Sequence, residues 1–184
     1  MFNIEAFSSL PKNLKCSDYV DIMLLLSGSK RAIRLGKNTT EVYEKMNYWC
    51  IKFKYRSKIS RSGLMYISKY IGFVTLVNIV DDCIFPHAYI LGCLLGYPSC
   101  CSKKIAKIGE PFIDQWENKL VTSGGFNVDY KLINPEGYLS GTSLISHVPC
   151  SCQCKKSLEI ARSTLETIKT YKDYDCINRW KKWL

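Results

Sequence analysis

The sequence predicts a single α+β domain, dominated by helices, with a small and mostly antiparallel sheet. Three observations carry this reading. Several segments place apolar residues at helical spacing between recognisable caps and stops. A few short stretches are rich in β-branched and aromatic residues, or alternate apolar with charged ones. The 184 residues, 47% hydrophobic and 23% charged, suit one globular core. No internal repeat or stretch of disordered composition divides the chain, so residues 1–184 are read as one domain.

The elements follow in order. Residues 17–27 predict a helix capped by Ser17 or Asp18, with Val20, Met23, Leu24 and Leu26 on its apolar side. Ser27-Gly28-Ser29 stops it, and a short strand is expected over 30–35. Asn38 with Glu41 three positions later fits a capping box. Val42, Met46, Trp49 and Phe53 then follow at helical spacing, predicting a helix over 39–50.

Beyond residue 51, Ile51, Phe53, Tyr55 and Ile59 alternate with Lys52, Lys54, Arg56 and Lys58. This is the period of a half-buried strand with one basic face. Residues 64–80, rich in Tyr, Ile, Val and Phe, read as one or two buried strands. Pro86 is expected to open a helix carrying His87 and ending at Gly96. Pro98 then opens another, running to about residue 108. Turns are expected at Gly124-Gly125 and Asn134-Pro135-Glu136-Gly137, with a short strand between them. Another strand is expected over 142–148. A long helix starts at Cys150 or Ser151 and runs to Tyr171, with Leu158, Ala161, Leu165 and Ile168 as its stripe.

The charge is concentrated. Of a net +10, residues 30–69 hold eleven Lys or Arg against Glu41 and Glu44, a local +9. Such asymmetry points to an anionic partner, RNA, DNA or a phosphorylated ligand, with Lys52, Lys54, Arg56 and Lys58 as the binding residues. The plain alternative is a solvated basic face. At the end of the chain, Arg179, Lys181 and Lys182 lie among Trp180 and Trp183. They read as a last helical turn with its tryptophans packed inward rather than as a stacking platform.

The ten cysteines supply the strongest signal. Residues Cys83 to Ser102 lack charge, but Pro86, His87, Pro98 and the polar Tyr97–Ser102 end leave too short an apolar run to span a membrane. The start, Met1-Phe2-Asn3-Ile4-Glu5, lacks the basic residues and apolar run of a secretion signal. A reducing, cytoplasmic setting is therefore expected, where clustered cysteines are metal ligands or catalytic groups more often than disulfides. Cys16, Cys50, Cys83, Cys93 and Cys176 stand alone and read as small buried apolar residues.

The other five fall in two clusters, Gly96-Tyr97-Pro98-Ser99-Cys100-Cys101 and His147-Val148-Pro149-Cys150-Ser151-Cys152-Gln153-Cys154. Each precedes or opens a helix, where the dipole favours thiolate. Cys150 and Cys154, at i and i+4, share one helical face, whereas Cys152 points elsewhere. Cys100 or Cys101 with Cys150, Cys154 and His147 would make a zinc shell of three thiolates and an imidazole. Cys100, Cys101, Cys150 and Cys154 would suit zinc or an iron–sulfur cluster of the 4Fe-4S type. Adjacent cysteines diverge, which favours the corners of a cluster over a single ion.

A metal-free thiol enzyme with His147 as base is a third possibility. In the plainest one the cysteines are core fillers. Tyr97 is a donor to the site or packing, and Ser157 faces the centre or is a surface serine. His87 reads as a cap or core group, and Asp81-Asp82 as a solvated turn. No phosphate loop, nucleophile elbow or His-Glu-x-x-His helix is present.

These two clusters resemble a small family of uncharacterised prokaryotic proteins, the one catalogued as domain of unknown function 483. The resemblance lies in Leu94-Leu95-Gly96-Tyr97-Pro98-Ser99-Cys100-Cys101 and in His147-Val148-Pro149-Cys150 through Cys154 and Ser157-Leu158. The family pattern is Leu-Gly-Tyr-Pro-x-Cys-Cys followed later by His-x-Pro-Cys-Ser-x-x-Cys-x-x-Ser. The match covers roughly the C-terminal half and leaves residues 30–69 outside. Cys152 is an addition to the pattern, and an aromatic expected soon after the double cysteine is missing. The resemblance implies no activity, but it favours Cys100, Cys101, His147, Cys150 and Cys154 as the functional set. An intracellular metal protein is therefore expected, acting in sulfur or redox chemistry on RNA or a nucleotide, or serving as a zinc-stabilised nucleic-acid module.

Overall fold

Three short strands form the only regular sheet among the described residues, which in this computed structural model are 2–83, 87–124, 128–137 and 143–183. The elements are α1 (Ile4–Ser8), α2 (Cys16–Leu26), β1 (Ala32–Leu35), α3 (Thr40–Lys52), β2 (Arg56–Ile59) and β3 (Met65–Ser68). They continue with α4 (Ile71–Asp81), α5 (Ala88–Leu94), α6 (Ser99–Ile108), α7 (Ile113–Gly124), α8 (Val128–Lys131) and α9 (Lys155–Thr170). Two 3-10 segments, Glu110–Phe112 and Asp175–Trp183, complete the described set. The predicted α+β class, helical with a small antiparallel sheet, is the class observed.

The sheet order is β1-β3-β2, antiparallel throughout, with Ile33 opposite Ile67 and both Arg34 and Lys58 opposite Tyr66. Alternation along the strands sends the two faces to different cores. Ile33, Leu35, Met65 and Ile67 join α2 and α3 in the main core, through Ile22, Met23, Val42, Met46 and Trp49. Ala32 and Tyr66 join Val74 and Val77 of α4 and Leu91 of α5 in a smaller one. The central β3 is buried along its length, whereas β2 is an exposed edge carrying Arg56 and Lys58. Charges on an edge strand oppose pairing with another chain.

The first helices form where the sequence predicts them, with changed caps. In α2, Asp18 sits at the third position and accepts the Lys15 N–H. In α3 the cap is Thr39, whose hydroxyl accepts the Val42 N–H, rather than Asn38. Helix α3 then runs to Lys52, and the strand expected from 51 onward shrinks to 56–59. Between them Phe53, Lys54 and Tyr55 close a Schellman turn, with Tyr55 N–H bonded to Cys50 C=O at 2.7 Å and Lys54 in the left-handed region at φ 61°.

The largest departure is α4. Residues 71–81 are helical, not a strand, because Val74 and Val77, one turn apart, both reach the smaller core. Asp81-Asp82, at its end, is not a solvated turn. Asp81 takes bonds from Arg34 at 3.3 Å and from the Tyr66 hydroxyl, and Asp82 takes the Arg61 N–H at 3.3 Å. Residues 143–148 form no strand. Ser143, Leu144, Ile145, Ser146 and His147 run buried, and Ser143 C=O takes the Trp180 indole N–H at 3.2 Å. Trp180 is fully buried, as the inward-packing reading of the C-terminus requires. Pro86 and Gly125 lie outside the described residues.

The same main core holds residues from both halves of the chain. Phe7, Val20 and Trp49 belong to it, as do Cys101, Leu120, Leu144, Cys154, Leu158 and Ala161. The cysteine-rich half is therefore built on the basic half and not beside it. No helix among the described residues is long and apolar enough to cross a membrane.

Candidate metal centre

Helix α5 ends in a second Schellman turn that aims the first cluster. Gly96, at φ 76°, supplies the left-handed residue, and the Tyr97 N–H bonds Gly92 C=O at 2.8 Å. Pro98, expected as the first helical residue, is instead the N-cap of α6, which starts one residue later at Ser99. Cys100 and Cys101 therefore occupy the second and third positions of α6. Gly92 lets α5 and α6 close on each other, since a Cβ there would lie 2.4 Å from Ser102 Oγ.

The second cluster is arranged differently from the sequence reading. Helix α9 begins at Lys155 with Cys154 as its N-cap, so Cys150 lies in the preceding loop and not on a shared helical face. Other contacts hold that loop. Trp116 of α7 donates its indole N–H to Pro149 C=O at 3.1 Å, and the Cys152 thiol donates to Leu120 C=O at 3.4 Å. Cys152 thus faces α7 and stays out of the centre, held there by Leu120 and not by the helical spacing expected of it.

The sulfurs of Cys100, Cys101, Cys150 and Cys154 converge, all within 4.8 Å of one another. Cys100 and Cys101 are 3.9 Å apart, Cys100 and Cys154 3.8 Å, and Cys101 and Cys154 3.6 Å. The expected divergence of the adjacent pair is absent. Both residues lie in the first turn of α6, and the sulfur of Cys154, the N-cap of α9, lies against both. Cys101 and Cys154 are buried, and Cys100 and Cys150 half-buried. Four such cysteines can hold a metal ion.

The electrostatics of the cluster differ from thiol to thiol. Burial pushes Cys101 far up, and burial with the neighbouring thiols pushes Cys150 up to about 12. Burial also opposes the Cys154 thiolate, but the hydroxyl and backbone N–H of Ser157, with the Cys150 and Cys101 thiols, hold it at about 7. A cation held among the sulfurs would oppose the upward shifts of Cys101 and Cys150.

His147 stands one step behind the sulfurs. Its Nε2 lies 2.8 Å from Ser157 Oγ, and that oxygen lies 3.4 Å from Cys101 Sγ. Ser157 is fully buried, so it is no surface serine. Burial, then the Lys30 charge, lowers His147 to about 3, which keeps it neutral. Tyr97 packs on the His147 ring, their centres 5.4 Å apart, and Lys30 Nζ lies 4.4 Å from the centre of the Tyr97 ring. Tyr97 is thus packing that ties the centre to a buried Lys30–Asp21 ion pair. No local pattern marks that link, because residues 21, 30, 97, 147 and 157 share no spacing.

The remaining sites are spread out. Lys52, Lys54, Arg56 and Lys58 are all exposed, on the end of α3, the turn after it and β2. Three other basic residues of the segment are paired internally, Lys30 with Asp21, Arg34 with Asp81 and Lys45 with Glu41. His87 is exposed at the start of α5. Among the solitary cysteines, Cys50 is buried as expected, but Cys83 and Cys93 are exposed and Cys176 is half-buried. Cys93 lies on the outer side of α5, away from Leu91 and Leu95.

No protein-family model, no curated protein and no solved structure matches this chain.

Proposed function

We propose that this protein holds one zinc ion between Cys100, Cys101, Cys150 and Cys154, and that the ion fixes a fold whose basic surface binds a polyanion. The observation that carries the metal reading is the spacing of the sulfurs. A tetrahedral zinc with bonds of about 2.3 Å separates its sulfurs by about 3.8 Å. The separations of 3.6, 3.8 and 3.9 Å match that edge. In a 4Fe-4S cluster each thiolate binds a different iron, and the width of the cluster spreads the sulfurs well beyond such contact. Zinc is therefore favoured over the cluster.

Four thiolates complete the tetrahedron and leave no open position, the pattern of a structural site. Their net negative charge lies at the N-terminal ends of α6 and α9, where the helix dipoles oppose it. A thiol enzyme with His147 as base fits less well, since the imidazole reaches Ser157 and not a sulfur. Kinship with the domain-of-unknown-function-483 family belongs to the same proposal. The two motifs that carry that resemblance supply all four sulfurs.

The anionic partner is RNA or DNA, held by exposed Lys52, Lys54, Arg56 and Lys58, with exposed Tyr48 and Ile51 beside them on α3. The test of the metal is elemental and acid-labile-sulfide analysis of protein purified without oxygen. The expected result is one zinc per chain and no sulfide. Stoichiometric iron with sulfide, or protein that neither contains nor takes up zinc, overturns the reading. The test of the partner is single-stranded RNA binding as a function of salt. Binding that weakens with salt and is lost when the four basic residues become alanine supports it, and no binding at low salt refutes it.

A further inference from the structure

Residues 71–80 carry no charge, yet only Val74 and Val77 of α4 are buried. Helical periodicity puts Leu76 and Ile79 on the side away from them, and these two are 46% and 56% exposed. The apolar surface continues at both ends. Tyr70, the N-cap of α4, and Ile71 are exposed at its start, and Phe73 shares a groove with Tyr89, Ile90 and Leu94 of α5. Among the described residues eleven large apolar or aromatic side chains are exposed, and six of them lie between residues 70 and 90. Single exposed apolar side chains are ordinary, whereas a patch of them marks a contact surface.

The charges around this face select its occupant. Strand β2 packs against α4, and its Lys58 and Arg56 point to the same side of the sheet as Tyr66, the side that α4 covers. Arg61 stands at one end of α4, its N–H bonded to Asp82, and Lys69 stands at the other. On the α5 side, Arg31 lines the groove, and Lys103 Nζ lies 5.9 Å from the centre of the Tyr89 ring. All six of these cations are exposed. Residues 45–109 contain no acids except Asp81 and Asp82. Both are engaged, Asp81 by Arg34 and Tyr66, and Asp82 by the Arg61 N–H.

We propose that this face docks on a lipid bilayer with anionic headgroups, α4 lying flat with Leu76 and Ile79 at the edge of the hydrocarbon. A second copy of the chain would set the same cations against each other across the seam, so like charges oppose self-pairing. Nucleic acid offers the negative charge but no apolar layer for Leu76 and Ile79 to enter. An anionic bilayer offers both, and its attraction adds to the burial of an apolar helix face. Tyr70 and Tyr89, each with an apolar ring and a polar tip, suit the boundary between headgroup and hydrocarbon. The proposal goes beyond the polyanion reading and shares only Arg56 and Lys58 with its basic set.

The test is co-sedimentation of the full chain with vesicles, one set of phosphatidylcholine alone and one with about a third phosphatidylglycerol. Binding to the mixed vesicles is expected, with neutral vesicles at least about 10-fold weaker and salt weakening both. Leu76→Ser combined with Ile79→Ser should weaken binding at least about 10-fold, because it removes the apolar part of the contact. Both side chains stand half exposed, so Tm should stay close to the parent's. Arg61→Gln and Lys69→Gln should each weaken binding about 5-fold. Neither residue belongs to the polyanion set, so a failed RNA test leaves this one standing. No binding to anionic vesicles at millimolar lipid leaves the face to a protein partner and overturns the proposal. Equal binding by the Leu76→Ser, Ile79→Ser variant overturns it too. So does a dimer in sedimentation equilibrium that this variant abolishes, since the face then belongs to a second copy.

Discussion

Replacing Lys30 with alanine tests the buried link between the two halves of the chain. The side chains of Lys30 and Asp21 are 4% and 8% exposed, with Nζ 2.5 Å from Oδ1. Asp21 is nearly buried, so water replaces the lost ammonium only in part and the cost approaches that of a buried charge left without its partner. That is about 3–5 kcal/mol, against about 0–1 kcal/mol for an exposed pair. For a chain of this length each kcal/mol moves Tm by about 2–4 °C, so Lys30→Ala should lower Tm by roughly 6–20 °C. Lys30→Met keeps the apolar stem over Tyr97 and should still lose most of that amount. The double variant Lys30→Met with Asp21→Leu removes both charges and should return close to the parent. Denaturant unfolding at one fixed zinc concentration closes the cycle. A loss below about 1 kcal/mol for Lys30→Ala refutes the argument, as would a double variant as unstable as the sum of its parts.

Other perturbations isolate single features. Cys152→Ser should leave metal stoichiometry unchanged, because that thiol faces Leu120, whereas Cys154→Ser should lose tight metal binding; elemental analysis separates the two. Ser157→Ala strips the His147 imidazole of its only bonded neighbour and should cost about 1–3 kcal/mol in thermal unfolding, with metal retained. His147 is held near 3 against an ordinary 6.5, so the unfolded chain binds its proton first and stability falls as pH drops below 6.5. In chelated protein that fall should reach about 2 kcal/mol by pH of about 5, and His147→Gln should flatten it by that amount. The buried Asp18 and half-buried Glu117 carboxyls are shifted upward and act in the opposite sense, so the parent-minus-variant difference is the quantity to measure. Lys54→Gly should stabilise by about 0.5–1 kcal/mol, because Lys54 occupies the left-handed position of a Schellman turn, and a Tm no higher than the parent's would contradict it.

What the sequence made legible is what depends on local pattern. Helices α3 and α9 announce themselves by one apolar face each, α2 by its stop at Ser27-Gly28-Ser29, and Gly96 and Pro98 mark the junction that aims Cys100 and Cys101. Segment 71–81 is different. It is apolar at almost every position, so no face stands out, and its β-branched residues favour strand by propensity. Only the packing of Val74 and Val77 against Tyr66 decides for helix. The stretch 143–148 has the composition of a strand, yet the described sheet has no place for it. It is buried as a bent, irregular segment by contacts such as that of Trp180, which lies far along the chain.

The metal centre divides along the same line. Its four candidate ligands were named from motif spacing, but the spacing argument for Cys150 used a helix that starts four or five residues later than expected. The four sulfurs still meet, because Trp116 and Leu120 of α7 fix the loop that a helical turn was expected to fix. The role of His147 was the harder inference. An imidazole three residues before a cysteine reads as a ligand when only the sequence is known. In the fold, Ser157 takes its Nε2, and Tyr97 covers the ring. Through Tyr97 and Lys30 the centre is tied to Asp21, deep in the half of the chain that carries the basic surface. A fragment spanning only the two cysteine clusters would keep all four thiols and lose that support. It should therefore bind metal without reproducing the stability of the full chain, so the basic half has a structural role whatever its surface binds.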